Sequence, residues 1–172
     1  TITDNDTATW SLTGSTSVSE GSTGTYTLAL AGTLQAGETA TVNLALSFPI
    51  GGPSTDPAEA ADFTNAFLVD IDSAITAYNA VSTSGTFSRS GNTLTYTQGA
   101  SDSTVDSLSI SLATADDSLV EGPEDYTLTI SSPGTTTGAT VVVDTVTPAT
   151  TVTTTITDND TQVATTNPID GL

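Results

Sequence analysis

The chain has no cysteine, histidine, methionine or lysine, and Arg89 is the single base among its 172 residues. Without cysteine no disulfide can staple the fold, and without thiolate or imidazole, zinc, haem and iron–sulfur chemistry are effectively excluded. Twenty acidic residues face that one base, for a formal net charge of −19. Nucleic acid and anionic membranes both need a basic footprint, so neither is an expected partner. No apolar run is long enough to cross a membrane and no signal peptide is visible, so no direct membrane insertion is expected. Position 1 is Thr; the chain reads as a fragment cut from inside something larger, monomeric as such, with any targeting signal elsewhere.

Catalytic equipment is equally sparse. Neither His, Cys nor Lys is present to act as base or nucleophile, and no Gly-rich phosphate loop stands out. Two carboxylates alone can hydrolyse a glycoside when held about 5 to 9 Å apart. A sugar cleft also wants aromatic platforms, and one Trp with four Tyr offers few. The expectation is that the chain is not an enzyme.

What remains is a composition suited to strands. Hydrophobic residues make up 35%, mostly Ala, Val, Leu and Ile, and Thr, Ser and Gly dominate the rest. Period-two alternation bounded by turn residues predicts strands at Ala8–Leu12, Gly24–Ala31, Thr39–Ser47, Gly85–Ser88, Asn92–Thr97, Ser103–Ala113, Glu124–Ser131, Gly138–Thr145 and Thr150–Thr157. The triples Tyr26, Leu28, Leu30, then Val42, Leu44, Leu46, and Tyr126, Leu128, Ile130 each put three apolar side chains on one buried face. Asn65–Val81 departs from this pattern. Phe67, Leu68, Ile71, Ile75, Tyr78 and Val81 form a helical stripe, after an irregular connection marked by Pro49, Gly51, Gly52, Pro53 and Pro57. A helix inserted in a loop, serving as a lid over an open edge or end, is the expectation. Asp70 and Asp72 within it, at i and i+2, are read as solvated surface.

The segment TITDNDT occurs twice, at Thr1–Thr7 and at Thr155–Thr161. Seven matches in register predict a repeat boundary. On that basis 1–7 is the tail of a preceding unit, 8–160 is one unit with its helical insertion near 65–81, and 161–172 is a linker or the start of a following unit.

The acids gather where loops are predicted: Asp4 and Asp6, Glu20, Asp62, Asp116 and Asp117, Glu121, Glu124 and Asp125, Asp158 and Asp160. Such a charge suits a solvated halophilic surface, a disordered acidic tail, or carboxylates grouped to hold cations; the strand-like alternation makes disorder the weakest of the three. Two bare carboxylates about 4 Å apart repel by roughly 4 kcal/mol at an effective dielectric of 20, so a true cluster must protonate, splay or bind cations. Hard oxygen ligands without nitrogen or sulfur favour Ca²⁺. Asx turns at Asp4–Asp6 and Asp158–Asp160, or a solvated hairpin tip at Asp116–Glu121, would explain the same residues without metal.

Three segments resemble the Calx-beta domains of sodium/calcium exchangers and of tandem arrays in bacterial surface adhesins. VSEGSTGTYTLAL, within Ser17–Leu30, looks like the family's opening strands. AADF, Ala60–Phe63, looks like its Asp-aromatic step, and DDSLVEGPEDYTLTI, Asp116–Ile130, is similar to its D-D-x-x-x-E-x-x-E stretch; the terminal ITDND completes the pattern. The resemblance implies an all-β, immunoglobulin-like β-sandwich of about 7–9 strands that holds Ca²⁺ at one end through Glu20, Asp62, Asp116, Asp117, Glu121, Glu124, Asp158 and Asp160. Asp4 and Asp6 join the candidate ligands as the earlier copy of the terminal motif. Asn159 departs from the pattern, which usually has a third acid there.

The function implied is that of an extender repeat in a secreted, RTX-like, calcium-dependent adhesin on a bacterial cell surface. Its partners would be neighbouring repeats of the same chain. The alternative is an adhesion module that recognises ice or carbohydrate through Thr151, Thr153, Thr155 and Thr157.

Overall fold

A computed structural model describes residues 5–51, 53, 56–100, 104–145 and 150–161. Eleven strands and one α-helix occur among them: β1 (Thr7–Gly14), β2 (Ser17–Ser19), β3 (Thr23–Gly32), β4 (Thr39–Ser47), β5 (Asp56–Pro57), α1 (Phe67–Val81), β6 (Gly85–Ser90), β7 (Thr93–Gln98), β8 (Thr104–Ala113), β9 (Glu124–Gly134), β10 (Thr140–Val143) and β11 (Thr151–Thr157). One sheet runs β10-β1-β3-β8 and the other β2-β11-β9-β4-β7-β6, with β5 beside β9. The expected all-β sandwich with a short helical insertion is the fold observed. Nine expected strands all have counterparts, although Ser103 and Gly52 lie outside the described residues. The two additional strands, β2 and β5, are three and two residues long, too short for any period to show.

Alternation makes the core. In β3 the side chains of Tyr26, Leu28 and Leu30 are buried while Thr25 and Thr27 face water. Leu108 and Ile110 of β8 join them from one sheet, and Val42, Leu44, Tyr126, Leu128 and Ile130 from the other. Each such side chain contributes about 1.5–3 kcal/mol when fully withdrawn from water. Trp10 of β1 crosses the gap: fully buried, it donates its indole N–H to the Thr41 carbonyl at 3.1 Å and leans on Phe87.

The sandwich is also pinned by hydroxyls. Thr154 donates to the Ser15 carbonyl at 2.6 Å, so the Tyr26 hydroxyl, 2.7 Å away, donates to Thr154. The Tyr126 hydroxyl in turn donates to Tyr26 at 2.6 Å. This buried chain joins β3 to β11 and β9 of the opposite sheet. It ends at Ser15, where the chain leaves β1 in one sheet and passes to β2, parallel to β11, in the other.

Helix α1 packs on β8 and β6, the edge strands of the two sheets, with Ile71 buried and Phe67, Ile75 and Tyr78 against the core. Asn79 donates to the Phe87 carbonyl at 2.8 Å and accepts the Phe87 N–H at 2.9 Å, so one side chain supplies β6 with the pair of bonds a neighbouring strand would give. Arg89 chelates the Asp72 carboxylate through Nε and a terminal nitrogen. The expectation of solvated acids holds for Asp72. It fails for Asp70, which is 8% exposed and accepts a bond from Asn65 Nδ2 at 2.9 Å. Residues two apart on a helix lie on different faces, and Asp70 is on the inward one. No helix among the described residues is long and apolar enough to cross a membrane.

Candidate metal centre

One pole of the sandwich collects the turn after β2, the turn at Ala60–Asp62, the β8–β9 loop, the start of β9 and the segment after β11. Thr114, 3% exposed, ties the turn after β2 to the β8–β9 loop. Its hydroxyl lies 3.1 Å from the Ser19 carbonyl and 3.0 Å from the Ser22 carbonyl, and it accepts the Ser22 N–H at 3.2 Å. Backbone bonds complete the frame: Glu20 N–H to Thr157, Gly21 N–H to Ala115 and Ala115 N–H to Asp62 carbonyls. Gly21 has φ +69, and a Cβ there would come within 2.9 Å of the Asp116 side chain. Only glycine lets the β2–β3 turn approach the β8–β9 loop this closely.

Carboxylates converge inside this frame. Glu20, Asp158 and Asp160 place oxygens within 4.8 Å of one another, and so do Glu20, Asp117 and Glu121. Glu20 belongs to both groups. Asp158 accepts the Glu121 N–H at 2.7 Å through one oxygen and the Asp160 N–H at 2.6 Å through the other, which fixes the loop after β11 against the β8–β9 loop. Asn159 is a cross-link: its amide donates to the Glu20 carbonyl at 3.0 Å and to Asp116 Oδ1 at 3.2 Å. A third acid at that position would offer acceptors where donors are needed.

The charges feel one another. Partial burial, then Asp117, Asp158 and Asp160, raise the Glu20 carboxyl above its ordinary value. Burial and Asp158 do the same to Asp160, and desolvation followed by Asp117 and Asp62 to Glu121. The Glu124 carboxyl is pushed up to about 7 by burial, by the adjacent Asp62 charge and by a hydrogen bond shared with Asp62. Like charges held this close favour one another's protonated form.

Of the ten sequence-derived candidates, Glu20, Asp62, Asp116, Asp117, Glu121, Glu124, Asp158 and Asp160 share this pole. Asp6 does not. Its carbonyl accepts the Thr140 N–H just before β1, and Ala8 pairs with Gly32 at the far end of β3 while Thr23 pairs with Ala113 beside the acids. Ten residues of β3 separate the two poles by roughly 30 Å. Asp4 lies outside the described residues, as does 162–172.

Asp56 carries no signal in the sequence pattern. Strand β5 sets it opposite Glu124, and its charge raises both Glu124 and Glu121. A two-residue strand in a Pro-rich connection carries no periodic signal that could have placed it. Asp125, by contrast, is fully buried and accepts from Thr155 Oγ1 at 2.7 Å.

Compared with known protein families and with curated proteins, the chain matches none.

Proposed function

We propose that the acidic pole is a Ca²⁺ site and that the chain is a structural extender repeat of a secreted, calcium-dependent adhesin of Calx-beta type, found on a bacterial surface. The observation that carries this is Glu20, shared by two groups of three carboxylates whose oxygens lie within 4.8 Å. Each group offers hard oxygens only, and two ions bridged by one carboxylate are common chemistry for calcium, which accepts six to eight oxygens in flexible geometry. Extracellular sites of this kind bind at ~10⁻⁴–10⁻³ M, a range that millimolar external calcium fills.

The repeated ITDND motif supports the tandem arrangement. Its second copy ends in the acidic pole, while Asp6 of the first sits at the opposite one. Units joined end to end would then bring the acids of one to the entrance of the next. Calcium there would stiffen each junction, and without it the carboxylates would repel and the junction would flex. Each unit adds length while contacting chiefly its neighbours.

A second reading, recognition of ice or carbohydrate by the Thr-rich face of β11, has two cross-strand hydroxyl pairs in its favour: Thr153 with Thr127 at 3.2 Å and Thr151 with Thr129 at 3.4 Å. Thermal unfolding in chelator, then in Ca²⁺ and in Mg²⁺ at matched ionic strength, separates the two. A shift specific to Ca²⁺ sustains the extender reading; equal response to both ions removes it.

A further inference from the structure

Helix α1 does more than close an edge. Between it and the outward face of β8 runs an open groove of about 550 Å³, with Asp70, Asn65, Ser109 and Ser111 among its polar walls and Ala74 and Ala77 among its apolar ones. Asp70 is over nine-tenths buried. One of its oxygens holds Asn65, and the other, Oδ2, is buried with no hydrogen-bond partner. A buried carboxylate oxygen without a donor is costly, and native proteins seldom leave one so.

We propose that this groove binds a neutral or amino saccharide, with Asp70 accepting a ligand hydroxyl or ammonium. Its size suits one or two sugar rings. Serine hydroxyls beside alanine methyls match the hydroxyl edge and the C–H face of a pyranose, and the lack of an aromatic platform in the groove's walls keeps the affinity weak; a bare cation would use the carboxylate and leave the rest unmatched. No base lines the groove, so uronic and other acidic sugars are rejected by Asp70. Asn65 is exposed, and a change of its rotamer opens the carboxylate to the ligand, the scale of adjustment usual on binding. None of the carboxylates of the acidic pole lines this groove.

The test is a titration of the full chain with glucose-type, hexosamine and uronic saccharides, followed by amide NMR in chelator and again in Ca²⁺. Neutral or amino sugars are expected to move the Asn65, Asp70 and Ser111 resonances with a dissociation constant of ~10⁻³ M, and uronates to bind at least about tenfold more weakly. Asp70→Asn should weaken binding about tenfold. Because that residue is buried, Ser111→Phe provides the second arm: it fills the groove from the exposed face of β8 and should abolish binding with the unfolding midpoint unchanged. Silence of those resonances at ~10 mM of every sugar, uronates binding as well as neutral sugars, or full binding by Ser111→Phe would each overturn the proposal.

Discussion

Glu20 is the place to strike. If each of its two carboxylate groups takes one Ca²⁺, a tenfold excess of calcium over the dissociation constant stabilises the folded chain by ~1.4 kcal/mol per ion, or about 3 kcal/mol for two. A domain of this size gains about 2–4 °C in unfolding midpoint per kcal/mol, so the calcium shift should be roughly 6–11 °C. Glu20→Gln keeps the shape but removes the ligand common to both groups, and the shift should nearly vanish. Asp160→Asn and Asp117→Asn each touch one group and should leave about half. In chelator the sign reverses. The Glu20 carboxyl is raised by burial and by neighbouring Asp117, Asp158 and Asp160, so removing its charge relieves repulsion and the metal-free midpoint should rise or hold. Differential scanning calorimetry of the four proteins, with and without calcium, reads both effects. A Glu20→Gln variant that kept the whole calcium shift, or lost it only by unfolding in chelator as well, would refute the shared-ligand geometry.

Three further outcomes are expected of the same structure. With calcium removed, the contribution of Glu124 to stability should be fully present below pH 4.5 and be lost as pH rises through about 7, because the folded Glu124 carboxyl is pushed up to about 7 against an ordinary 4.5 and the folded state therefore binds the extra proton in that window. The full gap corresponds to ~3.4 kcal/mol, which water at the open rim reduces to about 1 kcal/mol; Glu124→Gln should flatten the pH profile measured by urea unfolding. Thr114→Val strands buried partners of the Ser19–Ser22 turn and should cost ~1–3 kcal/mol while weakening calcium binding by isothermal titration. Asn79→Ala removes both bonds to Phe87 and should cost about 1–2 kcal/mol, seen as a lower midpoint and as time-dependent light scattering.

The strands were legible because one face of each is buried, so that Tyr26, Leu28 and Leu30 had to alternate with Thr25 and Thr27. The helix was legible because its Phe67-to-Tyr78 stripe packs on two edges at once. Eight acids of the pole could be picked out as candidates, since they lie in or beside turn-rich segments and a resemblance aligned them. Asp56 was invisible for want of a periodic element around it. The hydroxyl chain of Tyr126, Tyr26 and Thr154 was hidden as well, because in sequence each of these residues looks like an ordinary strand position; only the meeting of two sheets makes them a set. Asp70 misled for the opposite reason: its charge argued for water, while its place on the helix turned it inward.

The clamp of Asn79 on Phe87 has a meaning beyond this one sandwich. In any chain that strings such sandwiches together, like units are tethered at millimolar effective concentration, where a bare strand edge invites exchange between neighbours. An amide side chain on a packed helix occupies that edge with the geometry of a strand but ends after a single residue. It is a stopper: it satisfies Phe87 in the middle of β6 and offers nothing onto which a second sheet could grow.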